Sequence, residues 1–541
     1  MARQWASAVL AASVVFTSIS DARPASYFYE PAEADATIRI PTTVYRTQFD
    51  TVLAAEMSRV ASEVDTTVRV PTTVYTTQYD TVLVAEMSRQ ASLHGAGSPH
   101  RPADSHPTAF PTLTIATHPS GFFPTAASGH RSGFVMPTAS GSAYPTTNLN
   151  SSSNATSDAL PDKLRGVNVG GWLILEKWMN SDMFDGNDAS DQLTFDQTDG
   201  AQEALEKHWS TYFTESDVEK IASWGINALR IPIGYWAYDT FGAHYIQGAD
   251  AYLEKAIGWA RTHGLKVLVD CHGSPGSQNG FDNSGQSGAV MWQAENNLQD
   301  SIAVLETMAE KYGSQSYADV VFALELVNEP ISWDQNNFTK TQEWAKDAYN
   351  AVKSKATNKD LRVIMHDGFM GPSEWQEIGQ QVNGNATRSD AHFGMDVHLY
   401  QNQDSEWNSM DQTEHIAAAC NWTNSKLLPS SATLPVYVGE WASGTNVCVN
   451  PDGTSTAGTT CTVSGCQCGV NVALADYSPA LTKATRQFVE AQMDAFEHSS
   501  NGWFIWSYHG PGGWGLDNMV QAGLIGTPVT ERKYPNQCGF A

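Results

Sequence analysis

Basic residues are scarce in this chain of 541 residues: 31 Lys and Arg stand against 58 Asp and Glu, for a formal net charge of -27. That balance argues against nucleic acid and against an anionic membrane surface, both of which need a basic footprint. No segment beyond the N-terminus holds a membrane-length run of uninterrupted apolar residues, and the C-terminal "YPNQCGFA" lacks the hydrophobic tail of a lipid-anchor signal. No G-x-G-x-x-G follows the first apolar strand and no phosphate loop occurs, which removes the usual signatures of nucleotide binding. The expected partner is neutral, with no nucleic acid and no membrane involved.

Cysteines are few, seven in all. Cys448, Cys461, Cys466 and Cys468 fall in a Gly/Thr/Ser-rich stretch that contains no His and no C-x2-C pair, so disulfides are expected there rather than zinc. Cys420 and Cys538 remain as partners for each other or for this cluster. Cys271 follows the apolar "LKVLVD" and is expected to be a buried free thiol. Its neighbour His272 suggests a nucleophilic pair, but adjacent strand residues point to opposite faces.

Residues 1–20, "MARQWASAVLAASVVFTSIS", have a short apolar centre and read as a secretory signal peptide, so a secreted protein, extracellular or cell-wall associated, is expected. Sequons at Asn150, Asn154, Asn337, Asn385 and Asn421 agree with that compartment. Within residues 21–94 the stretch Ala36–Ser62 returns as Thr66–Ser92. Two such repeats have little core of their own, so a weakly structured module is expected. Residues 95–160 are rich in Ser, Thr, Pro and Gly, the composition of a linker that resembles an O-glycosylated stalk.

Residues 161–541 follow another pattern, in which short apolar segments alternate with amphipathic helical stretches. Eight segments occur: "LRGVNVGG", "INALRIPIG", "LKVLVDCHG", "VVFALELVNEP", "LRVIMHDGF", "HFGMDVHLY", "PVYVGEW" and "GWFIWSYH". Eight strand–helix units predict an α/β fold, a (β/α)8 TIM barrel, with its chemistry at the C-terminal strand ends. A doubly wound open sheet is the alternative, without its nucleotide signatures.

The polar residues at those strand ends form a set. Glu329 ends "LVNEP" and Glu440 ends "PVYVGE", and two carboxylates at strand ends suffice to break a glycosidic bond, one as acid and one as anion. Around them fall Glu176, Arg230, His272, Asn328, His398, Tyr400 and Trp506. Any one could be scaffold, but their coincidence at the strand ends points to a site. Arg230 is expected to keep a nearby Glu440 ionised, and Glu329, facing that anion, to have a raised pKa.

With "LRGVNVGGWLILEKWM", "LRIPIGYWAY", "CHGSPGSQNGFDNSG", "LVNEP", "DVHLYQ", "VGEW" and "GWFIWSY", the chain from Leu164 onward closely resembles the fungal exo-β-1,3-glucanases of glycoside hydrolase family 5. The resemblance implies a retaining glycosidase that releases glucose from non-reducing ends of β-1,3-glucan, with Glu329 as acid/base and Glu440 as nucleophile. It further implies that Glu176, Asp282 and Asn283 bind hydroxyls of the terminal glucose, that Phe281 and Trp506 offer aromatic faces, and that Arg230, His272, Asn328, His398 and Tyr400 surround the cleaved sugar. No metal or organic cofactor is expected, and the protein is expected to be a monomer acting on a polysaccharide or oligosaccharide.

Three departures from the family pattern stand out. "WSYHGPGGWGLDN" replaces the usual "WSWKTE", "DCHG" replaces "DLHG", and an insertion from Ser443 to Tyr477 carries four cysteines and could roof the cleft and change which glucans enter. They leave room for a β-1,6-glucanase, an aryl or alkyl β-glucosidase, or a wall-binding protein without activity.

Overall fold

The computed structural model describes residues 160–403, 405–427 and 432–540, together with the dipeptide strands Ile38–Arg39 and Val68–Arg69. Those dipeptides pair in parallel at equivalent positions of the two repeats. The expected signal peptide, most of the repeat module and all but the last residue of the linker lie outside the described residues.

Eight parallel strands close into a barrel: β1 Leu164–Asn168, β2 Ala228–Gly234, β3 Lys266–Gly273, β4 Val321–Glu325, β5 Arg362–His366, β6 Phe393–Gln401, β7 Val436–Thr445 and β8 Gly502–Ile505, with β8 pairing both β7 and β1. Six of the eight expected segments contain their strand whole, while β6 runs one residue and β7 four residues beyond theirs. The strands are nearly continuous apolar runs because both faces are covered, the outer one by helices. Those helices are α1 Ala201–Thr211, α2 Glu215–Ser223, α3 Asp250–Thr262, α4 Asn297–Tyr312, α5 Phe338–Lys355, α6 Gln376–Asn383, α7 Gln412–Ser425 and α8 Pro479–Ser499.

The stretch expected as one helix between β1 and β2 is two, α1 and α2. The break falls at Thr214, whose backbone N–H donates to the Asp217 carboxylate at 2.9 Å, a reciprocal cap that starts a new helix. The other Asp217 oxygen accepts the Tyr508 hydroxyl at 2.9 Å, which ties α2 to the chain beyond β8.

Strand pleating sorts the barrel interior into two levels. Leu164, Ala228, Leu268, Ala323, Ile364 and Phe504 point inward near the N-terminal ends and pack with Phe322 and Tyr437 into one apolar cluster. Gly166 lies against Phe504 so closely that a Cβ would overlap the ring. Two residues further up the same strands, the inward face is polar: Arg230, Asp270, Glu325 and His366, with Trp506 above Phe504.

The insertion forms a small sheet, Val447–Val449 antiparallel to Ser455–Ala457 and to Gln467–Cys468, closed by Cys448–Cys468 and Cys461–Cys466. Cys420–Cys538 ties α7 to the C-terminal tail, and Cys271 is the buried free thiol. The insertion packs Val447 and Val449 on Leu481 and Ala484 of α8, its Ser455 accepts from the first residue of α7, and its first residue, Ser443, donates to the Gly513 carbonyl at 2.8 Å. Among the described residues no helix is long and apolar enough to cross a membrane.

Candidate active site

Arg230 is fully buried on β2 and organises the polar level of the barrel. Its Nε donates to Glu325 at 2.8 Å, Nη2 to Asn328 Oδ1 at 2.8 Å, and Nη1 to Asn168 Oδ1 at 3.0 Å and to Glu440 Oε1 at 3.1 Å. Asp270 at 3.2 Å and Asp396 at 3.6 Å complete a ring of four carboxylates around one guanidinium. The planar fork suits this role, since it serves several acceptors at once and never loses its proton. Burial pushes the Glu325 carboxyl well above the ordinary carboxylate range, and Asp270 adds to the push against the pull of Arg230.

Above this ring His398 stands between the two glutamates. Its Nδ1 is 2.8 Å from Glu329 Oε1 and 3.4 Å from Glu440 Oε2, and its Nε2 is 3.4 Å from Asp396. Because one nitrogen reaches both, those glutamate oxygens are separated by no more than the sum of its two contacts, about 6.2 Å. His398 and Glu440 are register partners on β6 and β7. Glu440 Oε2 also accepts the Tyr400 hydroxyl at 2.7 Å. Glu329 is not at the strand end itself but four residues beyond Glu325, in a left-handed conformation with φ 46°. Such a backbone costs on the order of 1–3 kcal/mol for a non-glycine residue and persists only where surrounding contacts impose it. Here the amide of Asn283 donates to Glu329 Oε2 at 2.9 Å.

The expected order of the two pKa values is reversed. Burial raises Glu329, but the hydrogen bond from His398, its charge, and Asn283 outweigh burial and leave the carboxyl below its ordinary value. Glu440 is raised instead, by burial first and by Glu329, with His398 and Arg230 pulling the other way. His398 is held well above the ordinary imidazole range: burial opposes its charge, but Glu440, Asp396 and Glu329 overcome it. The missing element in the sequence reading was this cation, 2.8 Å from Glu329.

His272 lies below Trp506, the rings stacked at 5.5 Å, and its Nδ1 is 2.6 Å from Asp270. Its other nitrogen faces the Asn328 amide at 3.4 Å. On the far wall Glu176 is buried and accepts the Trp178 indole N–H at 2.8 Å. Burial and the neighbouring Asp282 push Glu176 well up, and burial brings Asp282 to about 6. Asp282 accepts the backbone N–H of Lys177 at 3.2 Å, which joins the loops after β1 and β3. Phe281 is half-buried on the same loop as Asp282 and Asn283.

The structure thus brings together the residues singled out in the sequence. Reasoning from sequence missed Asp270, Glu325 and Asp396, whose only signal was an acid on the inward parity of an apolar strand. It also missed Trp178, two residues after Glu176, and Trp514. Two cation-sized clusters occur among the described residues, Glu329–His366–His398 and Glu325–Asp396–His398. In the second, the Arg230 guanidinium already supplies the positive charge. The group of four cysteines is taken up by its two disulfides.

Residues 193–510 match the cellulase family, glycosyl hydrolase family 5. The chain is similar to the probable glucan 1,3-beta-glucosidase A of Emericella nidulans, 37% identical over 70% of this chain and 94% of the relative. It is also similar to the glucan 1,3-beta-glucosidase 1 of Schizosaccharomyces pombe, 35% identical over 72% of this chain and 93% of the relative. The crystal structure of rutinosidase from Aspergillus niger superposes with a TM-score of 0.51 at 23% identity, over 67% of this chain and 97% of that one, a likeness of fold alone.

Proposed function

The chain belongs to glycosyl hydrolase family 5, and from that premise we propose that this glycoside hydrolase releases glucose from the non-reducing ends of β-1,3-glucan with retention of configuration. Relatives that carry the name glucan 1,3-beta-glucosidase support the substrate. The observation that carries the chemistry is the pair Glu329 and Glu440, bridged by one His398 nitrogen at 2.8 and 3.4 Å. Retaining glycosidases hold their carboxyl groups roughly 5–5.5 Å apart, whereas inverting ones leave about 6.5–9.5 Å for a water.

Glu440 attacks the anomeric carbon. Arg230 and Tyr400 hold its two oxygens and fix which lone pair faces the sugar. Glu329 donates a proton to the departing oxygen. As Glu440 gives up its charge to the new bond, His398 loses the anion that most favours its protonation and passes its proton through Glu329 to the departing oxygen, so that Glu329 is left as a carboxylate. After departure Glu329 is the base that activates water. Asn328 and His272 line the pocket beside the reacting sugar, and Glu176 with Asp282 and Asn283 forms the wall for the terminal hydroxyls, with Phe281 and Trp506 as its aromatic faces. Three disulfides suit an oxidising compartment, and secretion belongs to the same proposal.

The test is product analysis on laminarin, pustulan and cellulose oligomers, with the anomer followed by NMR. Glucose of β-configuration as the dominant early product from laminarin is expected. An α-anomer formed first, or preference for pustulan or cellulose, overturns the mechanism or the linkage respectively.

A further inference from the structure

We propose that Trp514 is a specificity-determining residue that closes the pocket behind the terminal sugar. The inference rests on the roles proposed above for Glu176, Glu329 and Glu440. Trp514 lies in "HGPGGWGLDN", beyond β8. Its ring meets Trp178 at 5.2 Å in an edge contact and Tyr400 at 5.2 Å. Trp178 is the donor to Glu176, and Tyr400 is the donor to Glu440. One indole therefore braces both residues that orient carboxylates on this side of the pocket, and the three rings make an arch from the loop after β1 to β6.

The side of the arch is what matters. Glu329 protonates the leaving oxygen, so the rest of the glucan chain departs toward Glu329. Glu176 and Glu440 face the sugar being released, and a ring that spans those two stands where a further sugar beyond the chain end would have to lie. The segment that carries Trp514 is built to hold position. Ser507 donates its N–H to the Trp514 carbonyl at 2.6 Å, Ser443 of β7 donates to the Gly513 carbonyl at 2.8 Å, and the Asn518 amide donates to the Gly510 carbonyl at 2.9 Å. Trp178, by contrast, is 40% exposed, and among the described ring contacts its partner is Trp514. Removing the indole both opens the slot and frees Trp178 to swing.

The full chain and its Trp514→Ala, Trp514→Leu and Trp514→Phe variants should be compared on laminarin with reduced ends and on p-nitrophenyl β-glucoside, with thermal melting to show that each folds. We expect the ratio of laminaribiose and longer products to glucose to rise at least about tenfold in the Ala and Leu variants, and to stay near the parent value in the Phe variant. A merely structural role would lower turnover on both substrates and leave the product ratio unchanged. A ratio within about twofold of the parent in a folded Ala or Leu variant overturns the inference. Absence of glucose release by the unaltered protein overturns the proposed function itself, and with it this inference.

Discussion

The lower and upper levels of the barrel interior are built on the same strands, two residues apart, and are opposite in character. Below, Leu164, Leu268, Ile364 and Phe504 fill the space with apolar side chains. Above, one guanidinium is ringed by Asp270, Glu325, Asp396 and Glu440, and Asp270 Oδ1 and Glu325 Oε1 are buried without a hydrogen-bond partner. The lower level is what a barrel needs in order to fold. The upper level is costly, since buried ionic groups are often no better than apolar ones for stability, and its arrangement makes sense only as preorganised electrostatics.

The largest contrast is expected from Glu440→Gln. Turnover on laminarin should fall by roughly four orders of magnitude, about 5.4 kcal/mol, because no anion is left to attack. Its melting temperature should hold or rise, since a buried charge has been removed. Loss of stability with activity retained would reverse the comparison.

Next come paired changes at the two levels. Phe504→Ala should cost about 3–5 kcal/mol of stability and leave kcat nearly untouched. Arg230→Met should cost about 3–5 kcal/mol as well, because it strands the four carboxylates without their cation. The two separate by pH. In the Arg230 variant the folded carboxyls have raised pKa values, so the fold binds protons that the unfolded chain does not. Its deficit is full at high pH and shrinks as pH falls toward the ordinary carboxylate range near about 4. The Phe504 deficit should be flat across that window. Parallel pH profiles in denaturant titrations would show that the guanidinium is packing rather than charge.

The smallest effect sharpens the upper level alone. Since His398 is held above its ordinary range, the proton it carries beside Glu329 should persist to higher pH than on a free imidazole. His398→Asn should move the basic limb of kcat/KM toward acid by about one unit, leaving Glu329 to set it alone. An unmoved limb would mean that Glu329 holds the proton unaided.

Much of this was legible in the sequence. Eight apolar segments with helices between them suffice for a barrel, and "LVNEP" and "VGEW" mark the two glutamates. The helical break at Thr214 was also written there, as Thr followed three residues later by Asp, but the continuous amphipathic pattern on either side masked it. Asp270, Glu325 and Asp396 were hidden because an acid inside an apolar strand looks the same whether it faces the barrel axis or a helix, and only closure reveals the parity. The reversed pKa order was hidden for another reason: it depends on a histidine 69 residues from Glu329 in sequence, whose distance to each carboxylate no spacing rule supplies.

Leu160 packs against the apolar level at the base of the barrel, while the pocket opens at the other end. The described barrel is therefore entered from underneath, and a bead or surface coupled through that entry strand would hold the enzyme mouth-outward. Immobilisation on the N-terminal side should leave access to an insoluble glucan intact, whereas coupling through the loop that carries Trp514 would turn the mouth toward the support.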